Sequence, residues 1–379
     1  MRLRTVLVLA AAAVVVLVAA LPLQALLADW NPGGGPLAQV GPESSPALEP
    51  AGTVEPQPTA DGASEPTATP QPTATPEPTA TPTPAPSQSL LEGKTWLTMY
   101  GRAWDVAPIL GRLGFFAGPD EMAAYIAPHV KEIQALNGGK EVVPVIHPIY
   151  AMAIPCEPDN HCLLYLDTAG FDIVEEYIKP AAERGWQVVL DSQIGSSTPV
   201  EQVQRMIDRG YLDYPNVHVA IDPEFHVYPG EDLPGIPIGQ IDASDVNKVQ
   251  HMLDELVRRK NLPKKVLIVH HFGDPAVNDG NPFMITNKKT LETLPNVDLV
   301  LDADGFGGPT IKVKKYNLML DHEEYPFIRF RAIKLFFFNP YEERHHRDDP
   351  VMTWPQVFGE EPTPGGVEMQ YKPDIIIVA

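Results

Sequence analysis

From residue 89 onward, short apolar runs alternate with longer segments in which apolar residues recur at helical spacing. Eight of the runs are strand-like, because they are short, rich in β-branched residues and bounded by Gly, Pro, Asn or Asp. The predicted strands cover residues 95–103, 141–151, 186–193, 217–225, 265–272, 297–306, 328–338 and 373–379. The chain therefore alternates between strand and helix over its last three-quarters.

The connections between these strands are too long for hairpins, so the strands are predicted to pair in parallel. Four connections have clear helical patterns: PDEMAAYIAPHVKEIQALNGG, AGFDIVEEYIKPAAERG, STPVEQVQRMIDRG and DASDVNKVQHMLDELVRRKN. NKKTLETLP and MTWPQVFGEE predict shorter helices before the sixth and eighth strands. Eight parallel strands in about 290 residues favour an α/β (β/α)8 TIM barrel over residues 89–379. An open doubly wound sheet is the alternative, but no glycine-rich phosphate loop follows the first strand.

The N-terminus does not fit this pattern. Residues 1–28 begin with a short basic stretch and continue as an uncharged apolar run from residue 5. The run is longer than a signal-peptide core of about 7–15 residues and close to the roughly 20 residues that span a bilayer. It predicts either a cleaved signal peptide or a signal-anchor that attaches the chain to the plasma membrane. In both cases the rest of the chain is exported to the cell surface or beyond.

Residues 29–88 are dominated by proline, threonine and alanine, with the repeating text PTATPQPTATPEPTATP. Proline removes backbone donors and fixes φ, so this segment cannot build a helix or a sheet. Large apolar side chains are almost absent, which leaves nothing for a core. We predict a disordered Pro/Thr-rich linker that spaces the barrel from a membrane or a wall layer.

Composition limits the partners of the chain. The formal net charge is −21, which argues against nucleic acid and against an anionic membrane surface as the main partner, because both require basic patches. With no glycine-rich phosphate loop after the first strand, we expect no nucleotide cofactor, and we assign no resident metal.

The only two cysteines, Cys156 and Cys162, flank the segment EPDNH. In an exported chain such a pair predicts a disulfide that closes a short loop. A zinc site that recruits His161 is the alternative, although the spacing does not match the common zinc patterns.

The fourth predicted strand, VHVAIDPEF, carries the most informative chemistry. In a barrel strand alternate residues face inward. Val219 and Ile221 suit the helix-facing side, which places Asp222 and Glu224 inside. Both then lie at the C-terminal end of the strand, where the active sites of such barrels are found.

The same alternation points polar residues inward at the ends of other strands. Buried acids need partners or they take up protons, so packing alone does not explain a ring of them. The residues at the strand ends are His147, Asp191, His270 or His271, Asp302, Asp304 and Lys334. Trp104 and Tyr150 lie near strand ends, where aromatic rings can stack on sugars.

Several segments resemble a poorly characterised group of exported bacterial proteins with glycoside-hydrolase-like barrels. The segments are AIDPEF, GQIDASDVN, IVHHF, IKLFFF followed by VMTWPQVF, and PDIIIVA, within residues 185–379. This resemblance implies a barrel but no particular activity. The Asp-x-Glu of the fourth strand is also similar to the pair in chitinases and lysozymes of glycoside hydrolase families 18 and 25. By that similarity Glu224 is the general acid and Asp222 its partner, although two further aspartates of the chitinase motif are missing upstream.

Three functions are compatible with these residues. The leading hypothesis is an exported carbohydrate-active hydrolase that acts on a cell-wall or extracellular polysaccharide, with Glu224, Asp222 and Asp191 as catalytic residues. The remaining histidines, acids, Lys334 and the aromatic pair would then bind the glycan. The alternatives are a metal-dependent hydrolase that uses the His/Asp ring, and a non-catalytic surface protein that binds glycans.

Overall fold

The structure is a computed structural model. It describes residues 88–104, 110–156, 162–168, 170–228, 233–272, 285–340 and 347–379. The predicted signal segment and nearly all of the linker lie outside the described residues. Among the helices that are described, none has both the length and the apolar character needed to cross a membrane.

Within the described residues, eight parallel strands close into a barrel with the order β1-β2-β4-β5-β7-β9-β10-β11. The strands are β1 (Lys94–Gly101), β2 (Glu141–Ile154), β3 (Cys162–Tyr165), β4 (Gln187–Gly195), β5 (Val217–His226), β6 (Ile241–Asp242), β7 (Lys265–His271), β8 (Ile285–Thr286), β9 (Val297–Ala303), β10 (Phe330–Leu335) and β11 (Ile375–Val378). β1 pairs with both β2 and β11, which closes the barrel. The prediction of a TIM-like α/β barrel is confirmed.

Helices cover the outer surface between the strands. They are α1 (Pro119–Leu136), α2 (Lys179–Glu183, continuing a π turn at Val174–Ile178), α3 (Pro199–Asp208), α4 (Ala243–Lys260), α5 (Pro309–Met319) and α6 (Trp354–Val357). The predicted helix before the sixth barrel strand is only a 3-10 turn, Lys288–Thr290. α5 was not predicted, because it buries Lys312 and Lys315 beside apolar residues and so has no clean polar face.

Strand alternation divides the core into two layers, as the sequence pattern predicts. Inside the barrel lie Trp96, Val189, Ala220, Ile268 and Ile377. The neighbouring residues in each strand, among them Leu97, Leu190, Val219, Leu267 and Ile376, face the helices. Both faces of the strands are therefore mainly apolar below the mouth, as buried parallel strands require, with His218 beside Trp96 as a polar exception inside the barrel.

A hairpin on the second strand was not predicted. β3 runs antiparallel to the end of β2, and a disulfide joins Cys156 to Cys162 with 5.8 Å between the Cα atoms. The predicted disulfide is confirmed. The buried guanidinium of Arg102 donates to the carbonyl oxygens of Ile149 (2.7 Å) and Leu164 (2.9 Å), which fixes the hairpin against the end of β1.

Candidate active site at the mouth of the barrel

The inward positions at the C-terminal ends of the strands are polar, in contrast to the apolar interior below them. All but Asp304 follow an inward apolar residue two positions earlier in the strand, and Asp304 follows Asp302, so the alternation carries each side chain to the mouth. The residues are His147 on β2, Asp191 on β4, Asp222 on β5, His270 on β7, Asp302 on β9, Asp304 just beyond β9 and Lys334 on β10. All are at most 4% exposed. The structure thus brings together most of the predicted polar ring.

His270 is the centre of this network. Its Nε2 atom donates to Asp191 Oδ2 at 3.0 Å, and its Nδ1 atom donates to Asp302 Oδ2 at 2.8 Å and lies 3.1 Å from Asp304 Oδ2. Burial and Lys334 oppose protonation of the ring, but the surrounding carboxylates outweigh them and raise the pKa of His270 well above its usual value. One imidazole therefore connects three acids from two strand ends, those of β4 and β9.

Lys334 neutralises one of these acids. Its ammonium group donates to Asp304 Oδ2 at 2.8 Å and lies 4.1 Å from the centre of the Tyr100 ring. Burial raises the pKa of Asp304, but Lys334 and His270 outweigh it and hold the pKa below its usual range. Burial likewise lowers the pKa of Lys334, and Asp304 more than reverses that effect. The pair is therefore ionised across the physiological range.

His147 differs from His270 in its partners. Its Nδ1 atom lies 3.3 Å from Thr98 Oγ1, and its Nε2 atom lies 3.5 Å from Asp191 Oδ2. Burial lowers the pKa of His147 to about 4, so the ring is neutral at pH 7. Burial raises the pKa of Asp191, but His270 and His147 outweigh it and keep that carboxylate ionised.

Asp222 and Glu224 form the second half of the site. Asp222 Oδ1 accepts a hydrogen bond from the Glu224 backbone N–H at 3.1 Å. Burial raises the pKa of Asp222 to about 7. Burial and then the Asp222 charge raise the pKa of Glu224 well above its usual value. Glu224 is half-buried as a residue, whereas Asp222 is buried.

The loop after β5 fixes the backbone of Glu224. The N–H of Gly239 donates to the Glu224 carbonyl oxygen at 2.8 Å. A Cβ atom at position 239 would lie 2.4 Å from the Pro223 carbonyl oxygen and 2.5 Å from that of His226. Only glycine allows the loop to approach this closely.

Tyr100 is a residue of the mouth that the sequence analysis missed. Its ring centre lies 5.1 Å from that of His147 and 5.9 Å from that of His270. Burial, followed by the charges of Asp191 and Asp222, raises its pKa well above the usual value, so the phenol is neutral. The sequence did contain a signal for Tyr100, because Trp96, Thr98 and Tyr100 occupy alternate positions of β1 and therefore face the same side, the inside of the barrel.

Three of the predicted residues lie elsewhere. Trp104 packs its ring 4.5 Å from that of Tyr177 in the outer layer. The Tyr150 hydroxyl donates to Asp167 Oδ2 at 3.1 Å and accepts from Arg205 Nε at 2.9 Å, also on the helix-facing side. His270 takes the inward position of its pair, and adjacent His271 is completely buried on the opposite face of β7.

Comparisons with protein families, curated proteins and solved structures found no match to this chain. The chemistry of the mouth has to be inferred from its own residues. It combines a glutamic acid whose pKa is raised, carboxylates held in the ionised form, and imidazole and ammonium groups that neutralise part of their charge.

Proposed function

We propose that the barrel is a carbohydrate-active hydrolase in which Glu224 is the general acid. The observation that carries the proposal is the contrast between Glu224 and two other acids of the mouth, Asp191 and Asp304. Glu224 combines partial exposure with a pKa well above the usual value, whereas Asp191 and Asp304 are buried and ionised. Hydrolysis of a glycosidic bond needs one protonated carboxyl and one ionised carboxylate on opposite sides of the reacting bond.

The neighbours of Glu224 support this role. Asp222 accepts the Glu224 N–H, which orients the backbone, and its negative charge helps to keep the Glu224 carboxyl protonated. Glu224 donates its proton to the leaving oxygen as the glycosidic C–O bond breaks, water adds to the anomeric carbon in its place, and the proton that this water releases restores the Glu224 acid. Asp191 supplies a fixed negative charge for the positive charge that develops on the sugar ring in the transition state. His147, His270, Asp302, Asp304 and Lys334 hold these groups in place and line the floor of the glycan site.

The substrate we propose is a cell-wall or extracellular polysaccharide. Support comes from the Cys156–Cys162 disulfide, because disulfides persist mainly in oxidising, extracytoplasmic compartments. The apolar N-terminal segment and the Pro/Thr-rich linker agree with export and with attachment of the barrel at the cell surface.

The test is a panel of wall and extracellular polysaccharides, followed by variants on any glycan that is cleaved. Glu224→Gln should lower turnover by at least about 100-fold while thermal unfolding stays unchanged, since this is a typical effect of losing an acid–base group. The matched control is Glu361→Gln, which removes an exposed carboxyl far along the chain. Near-full turnover by Glu224→Gln would reject the assignment. Binding without turnover by the wild type would favour a non-catalytic glycan-binding protein.

The pH–rate profile gives an independent check. A general acid must be protonated, so activity should fall on the alkaline side as Glu224 ionises. In Asp222→Asn the neighbouring charge is lost, the pKa of Glu224 falls, and the alkaline limb should move to lower pH. An unmoved limb would mean that Glu224 does not control this part of the profile.

A further inference from the structure

Two imidazoles and a carboxylate converge on one point in the floor of the mouth. His147, Asp191 and His270 each offer one ligand atom, and these atoms lie within 4.8 Å of one another. All three side chains are completely buried. We infer that His147, Asp191 and His270 bind a divalent transition-metal ion, a site that the sequence analysis did not assign.

The distances fit ligands of one ion. Asp191 Oδ2 lies 3.5 Å from His147 Nε2 and 3.0 Å from His270 Nε2. Ligand atoms about 2.0–2.1 Å from a tetrahedral zinc ion lie roughly 3.3 Å from one another. The His147–Asp191 separation is longer than a good hydrogen bond, yet it suits two ligands that share a cation.

The outer ring nitrogens are also arranged for metal binding. His270 Nδ1 donates to Asp302 at 2.8 Å, and His147 Nδ1 lies 3.3 Å from Thr98 Oγ1. Metal-binding histidines characteristically donate the other ring N–H to a carboxylate or similar acceptor, which fixes the tautomer and the ring orientation. Both Nε2 lone pairs can then face the cation. The proton that His270 Nε2 shares with Asp191 leaves to solvent when the cation binds.

Buried atoms at this point have no other partner. His147 Nε2 and Asp191 Oδ1 make no hydrogen bond within the described part of the chain. Native structures rarely leave such groups unsatisfied, and a bound ion is one of the accepted explanations.

The charge around Asp191 also suits a cation. Lys334 pairs with Asp304 and not with Asp191. Among the described residues, the ion-pair partners of Asp191 are the two imidazoles of the proposed site, His147 and His270.

The donor set points to a first-row transition metal. Two imidazoles and one carboxylate suit zinc, manganese or iron, whereas calcium and magnesium prefer sites made entirely of oxygen. The inference bears on the proposed glycan chemistry, because Asp191 takes part in both, but it is read from bound metal and not from turnover, so the two can fail separately.

The experiment uses the full chain, stripped with a chelator and titrated calorimetrically with zinc chloride and, separately, manganese chloride at pH 7.5. We expect one ion per chain, with at least 100-fold weaker binding in His147→Gln and in Asp191→Asn. Thr98→Val, which removes only the contact to His147 Nδ1, should weaken binding by about 10- to 100-fold.

Two controls protect this result. His251→Gln removes an exposed histidine of α4, and the double variant His345→Gln/His346→Gln removes a His pair of the sequence outside the described residues. Both should bind the ion as the wild type does. Should the site variants fail to fold, X-ray absorption of the zinc-loaded wild type still tests the inference, because it must show two imidazole ligands. No stoichiometric binding, a ligand shell without imidazole, or equal binding by the site variants would overturn it.

Discussion

Replacing Lys334 with methionine tests the electrostatic balance of the mouth. The ammonium group is buried, donates to Asp304 Oδ2 at 2.8 Å and lies over the Tyr100 ring. Methionine fills a similar volume but leaves the Asp304 charge without its cation. Removal of one partner from a buried pair costs about 3–5 kcal/mol, and loss of the cation–π contact adds about 1 kcal/mol. We therefore expect a loss of about 4–6 kcal/mol, a large share of the roughly 5–15 kcal/mol that stabilises a typical domain.

Urea unfolding followed by tryptophan fluorescence measures this loss as a lower midpoint. Lys314→Met, on the exposed face of α5, is the matched control and should change stability by no more than about 0.5 kcal/mol. The double variant Lys334→Met/Asp304→Asn should be about 1–3 kcal/mol more stable than Lys334→Met alone, because no unpaired charge remains. Equal losses in Lys334→Met and Lys314→Met would refute the reasoning.

The pH dependence has a definite sign. Lys334 and His270 hold the pKa of Asp304 below its unfolded value. The stabilisation is therefore present above the unfolded pKa of about 4 and is lost as the pH falls below it. The gap between wild type and Lys334→Met should be widest near neutral pH and should narrow in acid. A gap that widens in acid would contradict the ion pair.

The intact mass of the purified chain should be lower by two hydrogens than that of the reduced chain, because Cys156 and Cys162 form a disulfide, and reduction should lower stability by about 2 kcal/mol. A Cys156→Ala/Cys162→Ala variant should be insensitive to reductant, and two free thiols in exported material would contradict the pairing. His271→Phe should be neutral or up to about 1 kcal/mol more stable in thermal unfolding, because both ring nitrogens of this buried histidine lack partners among the described residues. A loss of stability above about 2 kcal/mol in His271→Phe would mean that the ring has a hydrogen-bond partner.

The mouth was largely predictable because strand alternation has a period of two, and the apolar outward residues fix its phase. Asp191, Asp222 and Asp302 follow directly from that pattern. The pattern did not decide between His270 and His271, because the predicted strand ran to residue 272 and both residues are polar. The register against β9, where His270 lies opposite Asp302, places His270 with the acids.

The errors came from residues assigned by proximity to a strand end and not by alternation. Tyr150 follows inward Ile149, so its ring belongs to the helix side, where Asp167 and Arg205 bind its hydroxyl. The sequence analysis included His147, Asp191 and His270 in the His/Asp ring of its metal-dependent alternative but could not single them out as one ligand set. Spacing along the chain says nothing about three residues that come from different strands and meet only when the barrel closes.

The contact at Gly239 has a consequence for how this site can be altered by mutation. The loop reaches the backbone of Glu224 through a gap that has no room for a side chain. Any substitution at 239 must lift the loop, break its hydrogen bond to the Glu224 carbonyl oxygen and shift the proposed acid. Residues on either side of 239 can vary to suit different ligands, but position 239 itself ties the geometry of Glu224 to the path of the loop. Variants selected in the laboratory for new ligand specificity should therefore differ in the loop residues around position 239 but keep the glycine itself.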